Sequence, residues 1–234
     1  MKRACIVLSL VIIVAGCSPP PAGPAPAAGA RPEYSAGPDS AGMARFATVV
    51  ARVEPVAERI CRRRGAGVNC DFLILVDDRP DQPPNAFQTL GRGGRPVLAF
   101  TGALVAGVRN ADELAFVMGH EAAHHIADHI PRQIENARTG AILLGGLATL
   151  SGAGRRTIEA AVDLGATVGA RRYSREFELE ADAIGTVIAH EAGFDPVRGA
   201  AFFGQLPDPG DRFLGTHPPN AQRMALVRRV ASGL

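Results

Sequence analysis

Apolar Phe46, Val49, Val50, Val53, Val56, Ala57 and Ile60 recur at helical spacing, so Met43 to about Arg63 reads as an amphipathic helix. Pro55 is expected to kink or divide it, and Gly65-Ala66-Gly67 to end it. The continuous apolar run Phe72-Leu73-Ile74-Leu75-Val76 fits a short strand buried on both faces. Beyond a polar loop, Asn85-Ala86-Phe87-Gln88 and Pro96-Val97-Leu98-Ala99-Phe100 flank Gly91-Arg92-Gly93-Gly94. They read as two more strands of a small antiparallel sheet, joined by a glycine-rich hairpin. Asn110-Ala111-Asp112-Glu113 has the layout of a capping box and should open a helix with Leu114, Val117, Met118, Ala122 and Ile126 on its apolar side. Pro131 is the expected end of that helix.

Two glycine-broken apolar stretches follow, residues 139–154, which are uncharged, and residues 160–170, which carry one acid. Neither is long and apolar enough to span a bilayer, which takes about 20 residues. A helical hairpin packed on the domain is the expectation, with a membrane-touching lid as the sharper alternative. Another helix opens near Ser174 and runs to about His190. The pattern describes an α+β domain, mostly helical.

The first residues set this domain's surroundings. Lys2 and Arg3 precede an apolar run from Ala4 to Gly16 broken only by Ser9, the layout of an export signal over residues 1–16. Its end, Val14-Ala15-Gly16-Cys17, resembles the lipobox of bacterial lipoproteins, which implies that Cys17 is lipidated and anchors the chain to a membrane. Residues 17–42, rich in Pro, Ala and Gly, are expected to be a disordered tether, leaving 43–234 as one folded domain. Ser18, rather than Asp, after Cys17 favours the periplasmic face of the outer membrane by analogy with other lipoproteins. Cys61 and Cys70 are then the cysteines left in the folded body, and in an exported protein they are expected to pair. A net charge of +2, with no basic run interleaved with aromatics, argues against nucleic acid as a partner.

Chemistry concentrates in Met118-Gly119-His120-Glu121-Ala122-Ala123-His124-His125. On a helix, His120 and His124 project from one face and can bind one metal ion, with zinc the best fit. Glu121 is placed to take a proton from water. A catalytic zinc needs a third protein ligand, and Ser174-Arg175-Glu176-Phe177-Glu178-Leu179-Glu180-Ala181-Asp182 offers several acids. Glu178 and Asp182 share one helical face and Glu176 and Glu180 turn away from it, but spacing alone does not choose the ligand. His125 and His129 are also four apart. No glutamate follows His125, and His129 reads as a helix-terminal histidine favoured by the macrodipole.

His-Glu-x-x-His followed by Ser-Arg-x-x-Glu-x-x-Ala-Asp resembles the zinc metallopeptidase family of the CaaX-prenyl endoprotease, the HtpX-type membrane proteases and BepA. Asn85-Ala86-Phe87 and Thr216-His217-Pro218-Pro219 with Arg223 extend the likeness from about residue 43 to the end. The resemblance implies a zincin-like domain whose small sheet packs on the His-Glu-x-x-His helix. It implies that His120, His124 and Glu178 ligate zinc, that Glu121 is the general base, and that Asp182 orients a ligand histidine. His217 and Arg223 match a histidine and arginine that could donate to the developing oxyanion, and His217 could instead latch the metal. The expected substrate is a protein or peptide of the cell envelope, misfolded or misassembled, bound in part as a strand added to an open sheet edge. A non-proteolytic chaperone using the same groove is the alternative.

Overall fold

In a computed structural model, residues 37–64, 67–172, 174–205 and 218–234 are described. The expected export signal, the lipobox with Cys17, residues 18–36 of the expected tether, and His217 lie outside them.

Helix α1 (Ser40–Arg64) runs through Pro55 as one element. It buries Phe46, Val49, Val53, Val56, Ala57 and Ile60, the stripe that helical spacing predicts. At its end Cys61 forms a disulfide with Cys70, their Cα atoms 5.8 Å apart, which ties the helix to the chain entering the sheet.

The sheet has three strands, β1 (Leu73–Asp77), β2 (Ala86–Leu90) and β3 (Pro96–Thr101), in the order β1-β3-β2. The β2–β3 hairpin is antiparallel, Ala86 opposite Phe100, and it turns through Arg92–Gly94 with Gly93 and Gly94 at positive φ. β1 pairs with β3 in parallel, Leu73 opposite Val97, so the sheet is mixed and not antiparallel as expected. The reason is topological: β2 reverses the chain once and β3 reverses it again, which leaves β3 running in the direction of β1. β1 is also only partly covered, because it forms an edge where burial on both faces was expected. The buried aromatic of that run is Phe72, just before the strand.

Helix α2 (Gly102–Gly107) leads to α3 (Ala111–Ile126), which packs on α1, on β2 and β3, and on α6 (Ser174–Glu191). Val49, Val53, Phe72, Leu98, Phe100, Leu114, Met118 and Ile188 fill the space between these layers. Asn110 caps α3 by accepting from the Glu113 N–H at 2.9 Å, as the capping pattern predicts. The Glu113 carboxylate reaches back one residue further than a capping box does, accepting from the Arg109 backbone N–H at 2.8 Å.

α3 stops at Ile126, before Pro131. Asp128 adopts a left-handed conformation (φ 58°), and α4 (His129–Leu150) starts at once. Pro131 lies in the first turn of α4, where a helix has no use for its N–H. α4 and α5 (Arg155–Arg172) form a hairpin whose two arms pack chiefly on each other. Short α7 (Pro196–Ala200) and a C-terminal α8 (Asn220–Ala231) close the far side of α3 and α6. No helix among the described residues is long and apolar enough to cross a membrane.

The contact that matters most for function is between α3 and α6. A Cβ built on Gly185 would lie 2.9 Å from the backbone nitrogen of His120, and one on Gly119 would lie 3.0 Å from the Gly185 carbonyl. Only glycine at both positions lets these backbones touch, and that proximity sets the reach of every side chain between them.

Candidate metal centre

α3 presents His120, Glu121 and His124, and α6 brings Glu178 against them. His120 Nε2 and His124 Nε2 are 3.1 Å apart, and the Glu178 carboxylate oxygens stand 3.6 Å from the first and 3.5 Å from the second. Three donor atoms so close suit a single cation and are the group among the described residues that could hold one. The carboxylate supplies charge, and the imidazoles supply neutral nitrogen once their other nitrogens carry the protons.

Those other nitrogens are engaged. His120 Nδ1 is 2.9 Å from Asp182 Oδ1, so its N–H donates to a fully buried carboxylate. Arg223 grips the same carboxylate with Nε at 2.7 Å from Oδ2 and Nη2 at 2.6 Å from Oδ1, and its Nη2 lies 3.5 Å from Glu178 Oε2. The guanidinium lies over the Phe203 ring at 3.8 Å. Burial works to raise the Asp182 pKa, but hydrogen bonds from Arg223 and His120 together with their charges hold it below the usual carboxylate value. At His120, burial opposes the charged form, and the hydrogen bonds and charges of Asp182 and Glu178 outweigh it, raising the pKa to about 10. The site thus favours positive charge near His120 Nε2, the electrostatic condition for cation binding.

His124 has a second support that the sequence does not announce. Its Nδ1 lies 2.8 Å from His129 Nδ1, and His129 Nε2 lies 3.2 Å from Glu180 Oε2, which also accepts from Arg132 Nη1 at 2.8 Å. With His124 Nε2 bare toward the cation position, the proton sits on its Nδ1 and is donated to His129, whose own Nε2–H goes to Glu180. His129 is stacked on Phe177, and the Arg132 guanidinium also lies over that ring, 4.4 Å from its centroid. This corrects the macrodipole account of His129. The residue begins α4 instead of ending α3, and at a helix N-terminus the dipole disfavours an imidazolium. Burial is the main force pushing its pKa down. The same burial, with the neighbouring His120 charge, pushes His124 down to about 3 and keeps it neutral.

Glu121 lines the same cleft as the histidines and meets the backbone of Gln88 in β2. Burial raises its pKa to about 7, the Glu178 charge adds to this, and a backbone hydrogen bond from Gln88 pulls the other way. A carboxyl titrating there is matched to both taking and returning a proton near neutral pH. The residues open into a cleft of about 470 Å³, with Pro84–Gln88 on one wall and Phe177, Phe202 and Phe203 on others. β2 is a sheet edge beside the cleft, so its outer backbone is positioned to meet an extended chain.

A buried histidine held by a carboxylate, a half-buried one held through a second histidine, an acid at ligand distance from both and a glutamate lining the cleft describe a metal-dependent hydrolase. The pattern that defines Peptidase family M48 matches residues 47–231. The chain belongs to this family. It is therefore a metallopeptidase, acting on peptide bonds. Among similar proteins, the beta-barrel assembly-enhancing protease of Escherichia coli is 32% identical over 175 residues, 69% of this chain and 34% of that protein. A putative beta-barrel assembly-enhancing protease of Vibrio cholerae is 33% identical over 146 residues, 59% of this chain and 29% of that one. The mitochondrial metalloendopeptidase OMA1 of Arabidopsis thaliana is 31% identical over 142 residues, 57% and 27% of the two chains. The chain thus spans about a third of the length of these relatives.

Proposed function

We propose that this M48 protein is a zinc endopeptidase in which His120, His124 and Glu178 hold the ion and Glu121 is the general base. The observation that carries the reading is the spacing of the three donor atoms. Tetrahedral donors at roughly 2.0–2.1 Å from zinc stand about 3.3 Å apart, against 3.1, 3.5 and 3.6 Å in this site. Bound zinc supplies Lewis acidity toward the scissile carbonyl and toward the attacking water.

The chain's own residues do the rest. The Glu121 carboxylate accepts a proton as the water oxygen bonds to the peptide carbon, then delivers it to the amide nitrogen as the C–N bond breaks. An extended substrate strand pairing with β2 would bring its carbonyl over Glu121, since Gln88 of that strand already touches the base. Asp182 and Arg223 fix His120. The Arg223 nitrogens Nε and Nη2 are committed to Asp182, which favours a positioning role over oxyanion donation. For the cell, the lipobox-like end of the leader and relatives named beta-barrel assembly-enhancing proteases support a lipid-anchored enzyme. Its place would be the periplasmic face of the outer membrane, clearing misassembled envelope proteins.

The test is metal analysis of purified protein with casein cleavage by wild type and Glu121→Gln. The expected result is stoichiometric zinc in both and a loss of cleavage of about 10²-fold or more in the variant. Equal cleavage by the two would overturn the mechanism, and Glu121→Gln that kept full activity in cells would favour a chaperone.

A further inference from the structure

The α4–α5 hairpin is packed inside out for a hairpin that meets only water. Its seam is made of small residues: a Cβ on Gly140 would fall 2.0 Å from the Gly165 carbonyl oxygen, and one on Gly169 would fall 2.1 Å from that of Asn136. With the backbones in contact, the large apolar side chains have no room between the helices and face outward. Leu150 is 89% exposed, Ile142 73%, Leu143 and Leu147 65% each, and Leu164 58%. Leu143, Leu147 and Leu150 fall at i, i+4 and i+7 and so share one face of α4. A water-soluble amphipathic helix turns such a stripe toward a core. Small residues inside and large apolar residues outside is the arrangement of helices that pack within lipid.

Charge at the tip points the same way. Arg155 and Arg156 occupy the first turn of α5, where the helix dipole disfavours cations, and neither forms an ion pair among the described residues. An anionic headgroup layer would satisfy both while the leucines enter the acyl boundary. Ile142 to Leu150 spans about 12 Å, far less than a hydrocarbon core of about 30 Å. The α5 arm carries Glu159 and Asp163, which belong in water.

From these observations we infer that the distal half of the hairpin is a membrane-docking device that enters one leaflet of an anionic phospholipid bilayer through the Leu143, Leu147 and Leu150 face of α4. The inference is independent of the proteolytic reading, and its test contains no cleavage step. Because the chain has no tryptophan, a single introduced one reports from a known place. Leu150→Trp and Leu143→Trp are placed in the full chain and mixed with phosphatidylglycerol–phosphatidylethanolamine vesicles.

The expected result is a blue-shifted emission at both positions, quenched by lipids brominated high in the acyl chain, with no shift for Leu234→Trp at the exposed C-terminus. Arg155→Gln and Arg156→Gln should each raise the lipid needed for half of the shift about fivefold. Emission that stays water-like while the protein sediments with the vesicles would overturn the inference. So would an equal shift at Leu234→Trp, or a shift without lipid that grows with protein concentration and so marks a second copy of the chain.

Discussion

At the scale of single residues the site is two parallel supports for two histidines. His120 leans on Asp182 and Arg223, and His124 on His129, Glu180 and Arg132. Partners of this kind fix the tautomer and orientation of a ligand, and their loss typically weakens metal binding about 10–100-fold. Asp182→Asn and His129→Phe are each expected to show that loss in a chelator competition. The phenylalanine keeps the stacking on Phe177 and removes only the hydrogen bonds, so an unchanged affinity in His129→Phe would show that His124 needs no second support. The His120–Glu121–His124 spacing was legible in the sequence because one helical turn is a rigid ruler. Glu178 was not, because four acids in seven residues offer more than one face, and resemblance to a family had to choose. His129 was misread because its meaning depends on a left-handed residue, Asp128, that no periodicity reveals.

At the scale of elements, the Gly119–Gly185 contact decides whether α3 and α6 can share a site at all. Alanine in place of a mid-helix glycine ordinarily stabilises a helix by up to about 1 kcal/mol. Gly185→Ala should do the opposite here, because its Cβ would press on the His120 backbone. A loss of about 1–3 kcal/mol is expected from overpacking, read as a lower midpoint in urea, together with weaker metal binding. A stabilised variant would show that the helices have slack. The helices and the β2–β3 hairpin were readable from apolar periodicity and turn residues, whereas the place of β1 was not. A five-residue apolar strand looks the same whether it pairs in parallel or antiparallel fashion, and only the return of the hairpin settled its direction.

For the whole molecule, the apolar core between α1, the sheet, α3 and α6 does not include the ligand atoms, and the Cys61–Cys70 disulfide braces its edge. Metal removal by a chelator is therefore expected to lower the melting temperature, by an amount that grows with the logarithm of ion concentration over Kd, while the far-ultraviolet dichroism of the folded state is unchanged. A collapse of helical signal on chelation would mean that the fold depends on the ion. Reduction of the disulfide frees a loop with a sequence separation of 9 and should cost about 2.5 kcal/mol. Melting with and without reductant measures it, and no change would place the stabilisation elsewhere.

The left-handed turn at Asp128 stands at the near end of α4. His129, bonded to His124, sits right beside that turn, and the far end of the helix is about 33 Å away. One degree of rotation at the turn carries the far end through about 0.6 Å, so even a displacement of several ångströms at the tip reaches the histidines as a few tenths. The hairpin can follow a soft, moving surface while the atoms around the catalytic centre stay within hydrogen-bonding tolerance, in the way a long oar leaves its rowlock almost still.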